Sequence, residues 1–329
     1  MILDIDTKLL KKNAYRVTKQ RGITALRIRV PGGDLNIKYF DIIKEVAEKY
    51  GNGTVHITTR QGFEIPGISM EKIDEINELI SPIIKGLKDE GVQIEDEEGG
   101  YPAAGTRNVS ACIGNRVCPF ANYDTTALAL KIEKLIYPND YHVKIAVTGC
   151  PNDCIKAHMQ DIGIIGQVEP IYDPSRCIGC QACVKNCKRR VTGALTFENF
   201  KVVRDPNRCI GCGECILKCP TSAWTRGEKY YRIVIMGRTG KKNPRLAQTF
   251  IEWADEESVL KIIKNMYDFI DKYIDKTLDK EHVGYIVDRE GFKKFKEEVL
   301  KDVKLPKKAK VANHIDYTGY RYERNTIYD

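Results

Sequence analysis

Apolar positions near the N-terminus follow two periods. Residues 24–30, Thr-Ala-Leu-Arg-Ile-Arg-Val, alternate strictly. One strand face therefore takes Leu26, Ile28 and Val30, and the other takes Arg27 and Arg29. Pro31-Gly32-Gly33 ends that strand. Residues 36–50 switch to helical spacing, with Ile37, Phe40, Ile43, Val46 and Ala47 on one stripe. Gly51-Asn52-Gly53 stops the helix. A second strand is predicted over 54–59 with Val55 and Ile57 inward, and a second helix over 70–88 with Ser69 as its N-cap. The pattern predicts a β-α-β-α unit, its strands parallel or split and its helices on one face.

Residues 89–100 are acidic and Gly-rich and read as a linker. A helix is predicted over 124–136 and an alternating strand over 142–148. In that strand Val143, Ile145 and Val147 face one way, His142 and Lys144 the other. Residues 162–168 read as one more strand. At 168 the composition changes. Asp173-Pro-Ser-Arg-Cys177-Ile-Gly-Cys180 is echoed thirty-two residues later by Asp205-Pro-Asn-Arg-Cys209-Ile-Gly-Cys212. This marks an insert ending near 225, after which the sheet resumes at Tyr230–Met236. Residues 237–245 form a Gly- and base-rich loop, two helices follow near 255–275 and 288–303, and the Lys-rich tail 304–329 is expected to wrap a surface or a partner chain.

Composition narrows the class. The chain has 329 residues, enough for two or three domains, and a net charge of +8. That charge suits an acidic cofactor or anionic substrate. No recognition motif supports nucleic-acid binding, and no apolar run reaches the ~20 residues that span a bilayer. The N-terminal residues lack a signal-peptide core, so a cytoplasmic protein is expected. In that reducing compartment the 12 cysteines argue for metal ligation over disulfides.

Eight of them form two runs, Cys177-x2-Cys180-x2-Cys183-x3-Cys187 and Cys209-x2-Cys212-x2-Cys215-x3-Cys219. This spacing fits a pair of [4Fe–4S] clusters, each completed by the distant cysteine of the other run. One takes Cys177, Cys180, Cys183 and Cys219; the other takes Cys209, Cys212, Cys215 and Cys187. Zinc would ask for finger-like spacing. The remaining four, Cys112-x5-Cys118 and Cys150-x3-Cys154, can close around another soft metal centre. On spacing alone that is a third electron-transfer cluster or a catalytic one.

The second pair lies in Gly149-Cys-Pro-Asn-Asp-Cys154, and the whole tetrad resembles the sirohaem–[4Fe–4S] signature of the sulfite and nitrite reductase family. Leu26-Arg-Ile-Arg29-Val-Pro-Gly-Gly33 resembles that family's first substrate-site strand. Thr58-Thr-Arg60-Gln61 resembles its cofactor-binding turn, and Arg107-Asn108-Val109 the segment before the first cysteine pair. The resemblance covers most of residues 15–300. It implies an α+β fold: a sulfite/nitrite reductase-like α/β unit carrying an inserted ferredoxin-like domain with two [4Fe–4S] clusters. Its divisions are a ferredoxin-like half-domain over 1–69, a sirohaem/[4Fe–4S] domain over 70–167 and 226–329, and the insert over 168–225.

The resemblance further implies sirohaem and three [4Fe–4S] clusters, with Cys154 as the thiolate shared between sirohaem and cluster. Arg60, Gln61, Arg238, Lys241, Lys242 and Arg245 are candidates to hold the macrocycle's carboxylates. Arg29, Arg107, His142 and Lys144 are the catalytic candidates, binding a small oxyanion and supplying protons. The family's sulfite enzymes commonly carry lysine where His142 stands. His56 is a further group that can approach the cofactor; His158, His282 and His314 read as structural. The implied reaction is six-electron reduction of sulfite to sulfide. Nitrite reduction to ammonia on the same centre, an enlarged polyferredoxin without turnover, or a homologue that binds or senses sirohaem without turnover are the alternatives. No Gly-x-Gly-x-x-Gly follows a strand, so electrons must come from another protein, a ferredoxin or a flavin- or iron–sulfur-bearing subunit. Family enzymes contain two copies of this unit. A single copy here implies pairing with itself or a related subunit.

Overall fold

Strand alternation in the N-terminal segment is realised as an antiparallel sheet. The structure, a computed structural model, describes residues 14–92, 108–137, 141–240, 244–278 and 281–315. Strands β1 (Tyr15–Val17), β2 (Ile23–Ile28), β3 (His56–Ile57) and β4 (Phe63–Ser69) take the order β1-β2-β4-β3. All their pairings are antiparallel, which corrects the parallel or split arrangement expected. Helices α1 (Phe40–Lys49) and α2 (Ile73–Asp89) supply Ile43, Val46, Ile76, Ile80 and Ile83 to a core shared with Leu26 and Ile28. β4 escaped the sequence reading because Pro66 and Gly67 interrupt its pattern. Val55 and Ile57 are exposed, not inward, because β3 is only a two-residue edge strand. Ile37 and Phe40 also point outward: a 3-10 turn at Ile37–Tyr39 rotates the stripe so that Tyr39 is buried instead. The Ser69 side chain makes no cap hydrogen bond.

The second sheet has six strands in the order β12-β11-β10-β7-β6-β5. They are β5 (Ser110–Ala111), β6 (Ile145–Thr148), β7 (Ile162–Tyr172), β10 (Trp224–Ile235), β11 (Gln248–Ala254) and β12 (Lys310–Val311). β5, β6 and β7 run parallel; the other pairings are antiparallel. Helix α3 (Thr125–Ile136) begins where the Asp124 carboxylate accepts the Ala127 N–H at 3.1 Å. The expected helix at 288–303 is two helices, one beginning earlier, divided at Gly291 with φ +90°. The tail's described part adds strand β12 to the sheet edge, pairing Val311 with Ile251.

β7 and β10 outrun the predicted strands and stay paired up to Trp224 opposite Tyr172. The insert hangs on that hairpin as residues 173–223. It contains helix α4 (Ala182–Arg190), strands β8 (Leu195–Glu198) and β9 (Lys201–Arg204), and helix α5 (Glu214–Lys218). Its seat is specific. The fully buried Gln167 donates to Ile210 O at 3.0 Å and accepts the Trp253 N–H at 2.9 Å, and Val168 N–H reaches Gly211 O at 2.9 Å. After the insert come α6 (Glu256–Tyr273), α7 (Val283–Glu290) and α8 (Phe292–Val299), all packed on the six-stranded sheet.

The two sheets are joined by a buried charge pair. Glu133, 0% exposed on α3, accepts the Val109 N–H at 2.7 Å and takes a hydrogen-bonded ion pair with Arg29, 3% exposed at the end of β2. The Arg29 guanidinium also lies 4.5 Å from the Tyr137 ring. Arg29 is therefore not on an open face beside Arg27, as alternation suggested. Among the described residues no helix is long and apolar enough to cross a membrane. Removing one partner of such a pair leaves a buried charge, so Glu133→Ala should lose about 3–5 kcal/mol of stability and Glu133→Gln clearly less, read as urea midpoints by circular dichroism.

Candidate active site

A cavity of about 370 Å³ opens between the two sheets, against the N-terminal ends of β5 and β6. Its wall brings together Arg29, Arg60, His142 and Lys144, four of the residues singled out from sequence, with Asn108 between them. It also contains Arg16, Arg27 and His56. Arg16 was missed because β1 itself gave no signal. Among the described residues one carboxylate lines this basic wall. Glu64 takes two bonds from Arg16 and two from Arg27, at 2.7–3.0 Å. Burial pushes its carboxyl up, but the bonds and charges of Arg27 and Arg16 outweigh that and hold it below the usual range.

The central cysteines occupy the opposite ends of the same strands. Cys112 follows β5 and its N–H continues the ladder to Val147 O at 3.1 Å; Cys150 follows β6. Parallel pairing of Ala111 with Val147 therefore delivers both cysteine pairs to one place. Burial raises the Cys150 thiol, and Cys118, Cys154 and Cys112 are close enough to add to the shift. Gly149 donates its N–H to Cys112 Sγ at 3.2 Å, and a Cβ there would fall 2.5 Å from Ala121 Cβ. Glycine is thus required by the close approach of the two loops. Cys154 is the exposed member of the four.

The insert has two thiol-lined cavities. Cys187, Cys209, Cys212 and Cys215 ring one; Cys177, Cys180, Cys183 and Cys219 ring the other. The fold therefore gathers the sets that the spacing paired crosswise. Burial pushes the Cys212 thiol up to about 11 and raises those of Cys183 and Cys215. Cys219 goes the other way: burial opposes, but Thr221 and backbone N–H groups, Ala223 at 3.2 Å among them, favour its thiolate. Among the described residues no three His, Cys, Asp or Glu side chains converge on a single-ion site.

Comparison with known proteins now separates the possibilities. Residues 103–309 match the family described as the nitrite and sulphite reductase 4Fe-4S domain, and residues 16–82 match the nitrite/sulfite reductase ferredoxin-like half domain. The chain belongs to the nitrite and sulphite reductase family. A Salmonella typhimurium protein named as one subunit of an anaerobic sulfite reductase is 44% identical over 96% of this chain and 95% of its own length. A coenzyme F420-dependent sulfite reductase from Methanocaldococcus jannaschii is 33% identical over 84% of this chain, which matches 42% of that protein. Dissimilatory sulfite reductase I shares the fold, with TM-score 0.65 at 18% identity over 93% of this chain and 74% of that one.

Membership of the nitrite and sulphite reductase family implies iron–sulfur and sirohaem binding, and the residues present fit a carboxylate-rich group. Arg60 donates to Gln160 Oε1 at 2.7 Å, beside the turn that follows Cys154. The 158–160 backbone packs on Gly237, and Arg238 pairs through its backbone with Arg245. Arg60 and the Arg238–Arg245 bridge thus flank residues 158–160, where the chain that leaves Cys154 returns to the cavity end of the sheet beside Lys144. Arg238 is 4% exposed, with its guanidinium 3.4 Å from the Tyr285 ring centroid. Burial and the charge of Arg245 lower its pKa, so an anion here would relieve both effects. Arg245 also pairs with Asp288 at 3.0 Å.

Gln61, expected as a cofactor contact, bonds the strand before the first cysteine pair. Its amide clasps Ala111, donating to the carbonyl at 2.7 Å and accepting the N–H at 2.8 Å. It steadies the strand before Cys112. Arg107, Lys241 and Lys242 lie outside the described residues. The crossed tetrads have a direct consequence. Cys187→Ala should alter the electron paramagnetic resonance signal of the same cluster as Cys212→Ala, and Cys219→Ala that of the other, with iron content falling in each.

Proposed function

We propose that this chain is the sirohaem-bearing subunit of a sulfite reductase and reduces sulfite to sulfide. The observation that carries this is the cavity walled by Arg60, His142, Lys144 and their neighbours, in a chain 44% identical along nearly its whole length to a protein named for sulfite reduction. A small oxyanion is held there by cations in a partly dehydrated site, where charge–charge attraction is strong. Lys144 and His142 stand at the cavity and can give up protons as oxygens leave as water. Arg29, its charge shared with Glu133, holds the wall in place.

Sirohaem would be held by Cys154 of one copy and by Arg60, Arg238 and Arg245 of the copy paired with it, and would supply the iron that binds sulfur and passes it electrons. Three [4Fe–4S] clusters would fill the three cysteine tetrads, those of the insert receiving electrons from a partner protein. The reading places the protein in the cytoplasm.

The cavity and the central tetrad lie at opposite ends of β5 and β6. A single copy therefore presents its cations away from its own cysteines. The reading is that two copies, or this chain and a related subunit, pair so that each supplies the cations for the other's cluster.

Two measurements check this. Protein purified without oxygen, given a reduced dye, should yield sulfide from sulfite faster than ammonia from nitrite. Ammonia as the sole product would reassign the substrate, and neither product from sirohaem-loaded protein would remove the turnover claim. Lys144→Ala and Cys154→Ser chains should each be inactive. Refolded and reconstituted together, they should regain up to about a quarter of wild-type turnover, since half the pairs are mixed and each mixed pair has one intact site. No recovery in mixed pairs would rule out sites shared between two copies of this chain.

A further inference from the structure

His282 read as structural in the sequence, yet it lies against the cavity's least expected residue. Its ring packs edge-on to His142, with centroids 4.8 Å apart and planes at 83°. His282 Nδ1 is 2.9 Å from Asp161 Oδ1. Asp161, 1% exposed at the head of β7, also accepts the Lys144 N–H at 3.1 Å and the Val283 N–H at 3.3 Å. One buried carboxylate therefore fixes the backbone of one cavity cation and the ring that abuts the other.

We propose that His282 is a positioning residue for His142, anchored by Asp161, and that it holds the His142 imidazole in the orientation that serves the substrate. This rests on the reading that His142 faces sulfite. The physical need is specific to histidine. A lysine presents three equivalent donors on a flexible stem. An imidazole has two distinct nitrogens, and only one ring orientation puts a given N–H on the substrate. A neighbouring ring in edge contact restricts rotation of His142. The Asp161 carboxylate fixes the His282 tautomer with Nδ1 as its donor, as carboxylates do for ligand histidines. Asp161 and His282 lie 121 residues apart, and α7 carries His282's side of the contact to the sheet.

The test is a double-mutant cycle with His282→Phe, His142→Ala and their combination, each checked for wild-type iron and sirohaem content. Turnover is paired with the sulfite dissociation constant, read from the visible spectrum of the oxidised protein. With His142 present, His282→Phe should lower kcat about tenfold with a small change in KM. With His142→Ala, adding His282→Phe should change turnover and sulfite affinity by less than about twofold. His142→Lys should likewise be indifferent to residue 282. His282→Asn, which keeps a donor for Asp161 but loses the ring, should resemble His282→Phe; it also replaces that variant if His282→Phe does not fold. Equal losses in both backgrounds would make His282 a structural residue only and overturn the proposal, as would no loss with His142 present. Full activity of His142→Ala alone would instead remove the reading of His142 on which the proposal stands.

Discussion

The pairing of β5 with β6 sets where chemistry can sit in this chain. Parallel strands have unlike ends, and residues that enter the two strands share one side while residues that leave them share the other. Asn108, His142 and Lys144 are entering residues; Cys112 and Cys150 are leaving ones. β5 has only two residues, too few to hold itself. It is kept in register by the Gln61 clasp on Ala111 and by Glu133 on the Val109 N–H. The buried Arg29–Glu133 pair therefore does more than join two sheets: it carries the geometry of both ends.

The thiols add a second constraint. Burial raises Cys150, Cys183, Cys212 and Cys215, so without metal these groups stay protonated near neutrality. Metal binding needs thiolates, so loading them must release protons. Cys219 is the exception, since hydrogen bonds from Thr221 and the backbone favour its charged form. The cavity is the electrical complement of this: a basic wall in which the carboxylate of Glu64 is kept ionised by Arg27 and Arg16.

Much of this was legible in the chain. The cysteine spacings, helix α3 and the alternation placing His142 and Lys144 on one side all carry local signals. What escaped had no local signal. β4 is broken by Pro66 and Gly67, and Gly291 splits an apparently continuous helical stripe. Arg29 alternates like a solvent-facing residue, and its burial depends on Glu133, 104 residues away. His282 and Asp161 form a contact that no window of sequence contains. The interior of the molecule rewarded pattern reading least where polar groups satisfy one another across the fold.

The β7–β10 hairpin has a further consequence. Its strands run 11 and 12 residues, about 36–40 Å each at the usual rise; β6 and β11 flank them over Ile162–Ile165 and Tyr231–Ile235, and beyond that they pair with each other. The insert is mounted on this beam and pinned by Gln167 and by Arg226, which bonds Asn122 and Pro119 O beside Cys118. Electron tunnelling weakens exponentially with gap, so a carrier on a swinging tether would deliver charge only in favourable poses. A stiff beam keeps the gap constant. Under the proposed function, distance then drops out as a variable in internal electron delivery, which leaves driving force and reorganisation energy to set its rate.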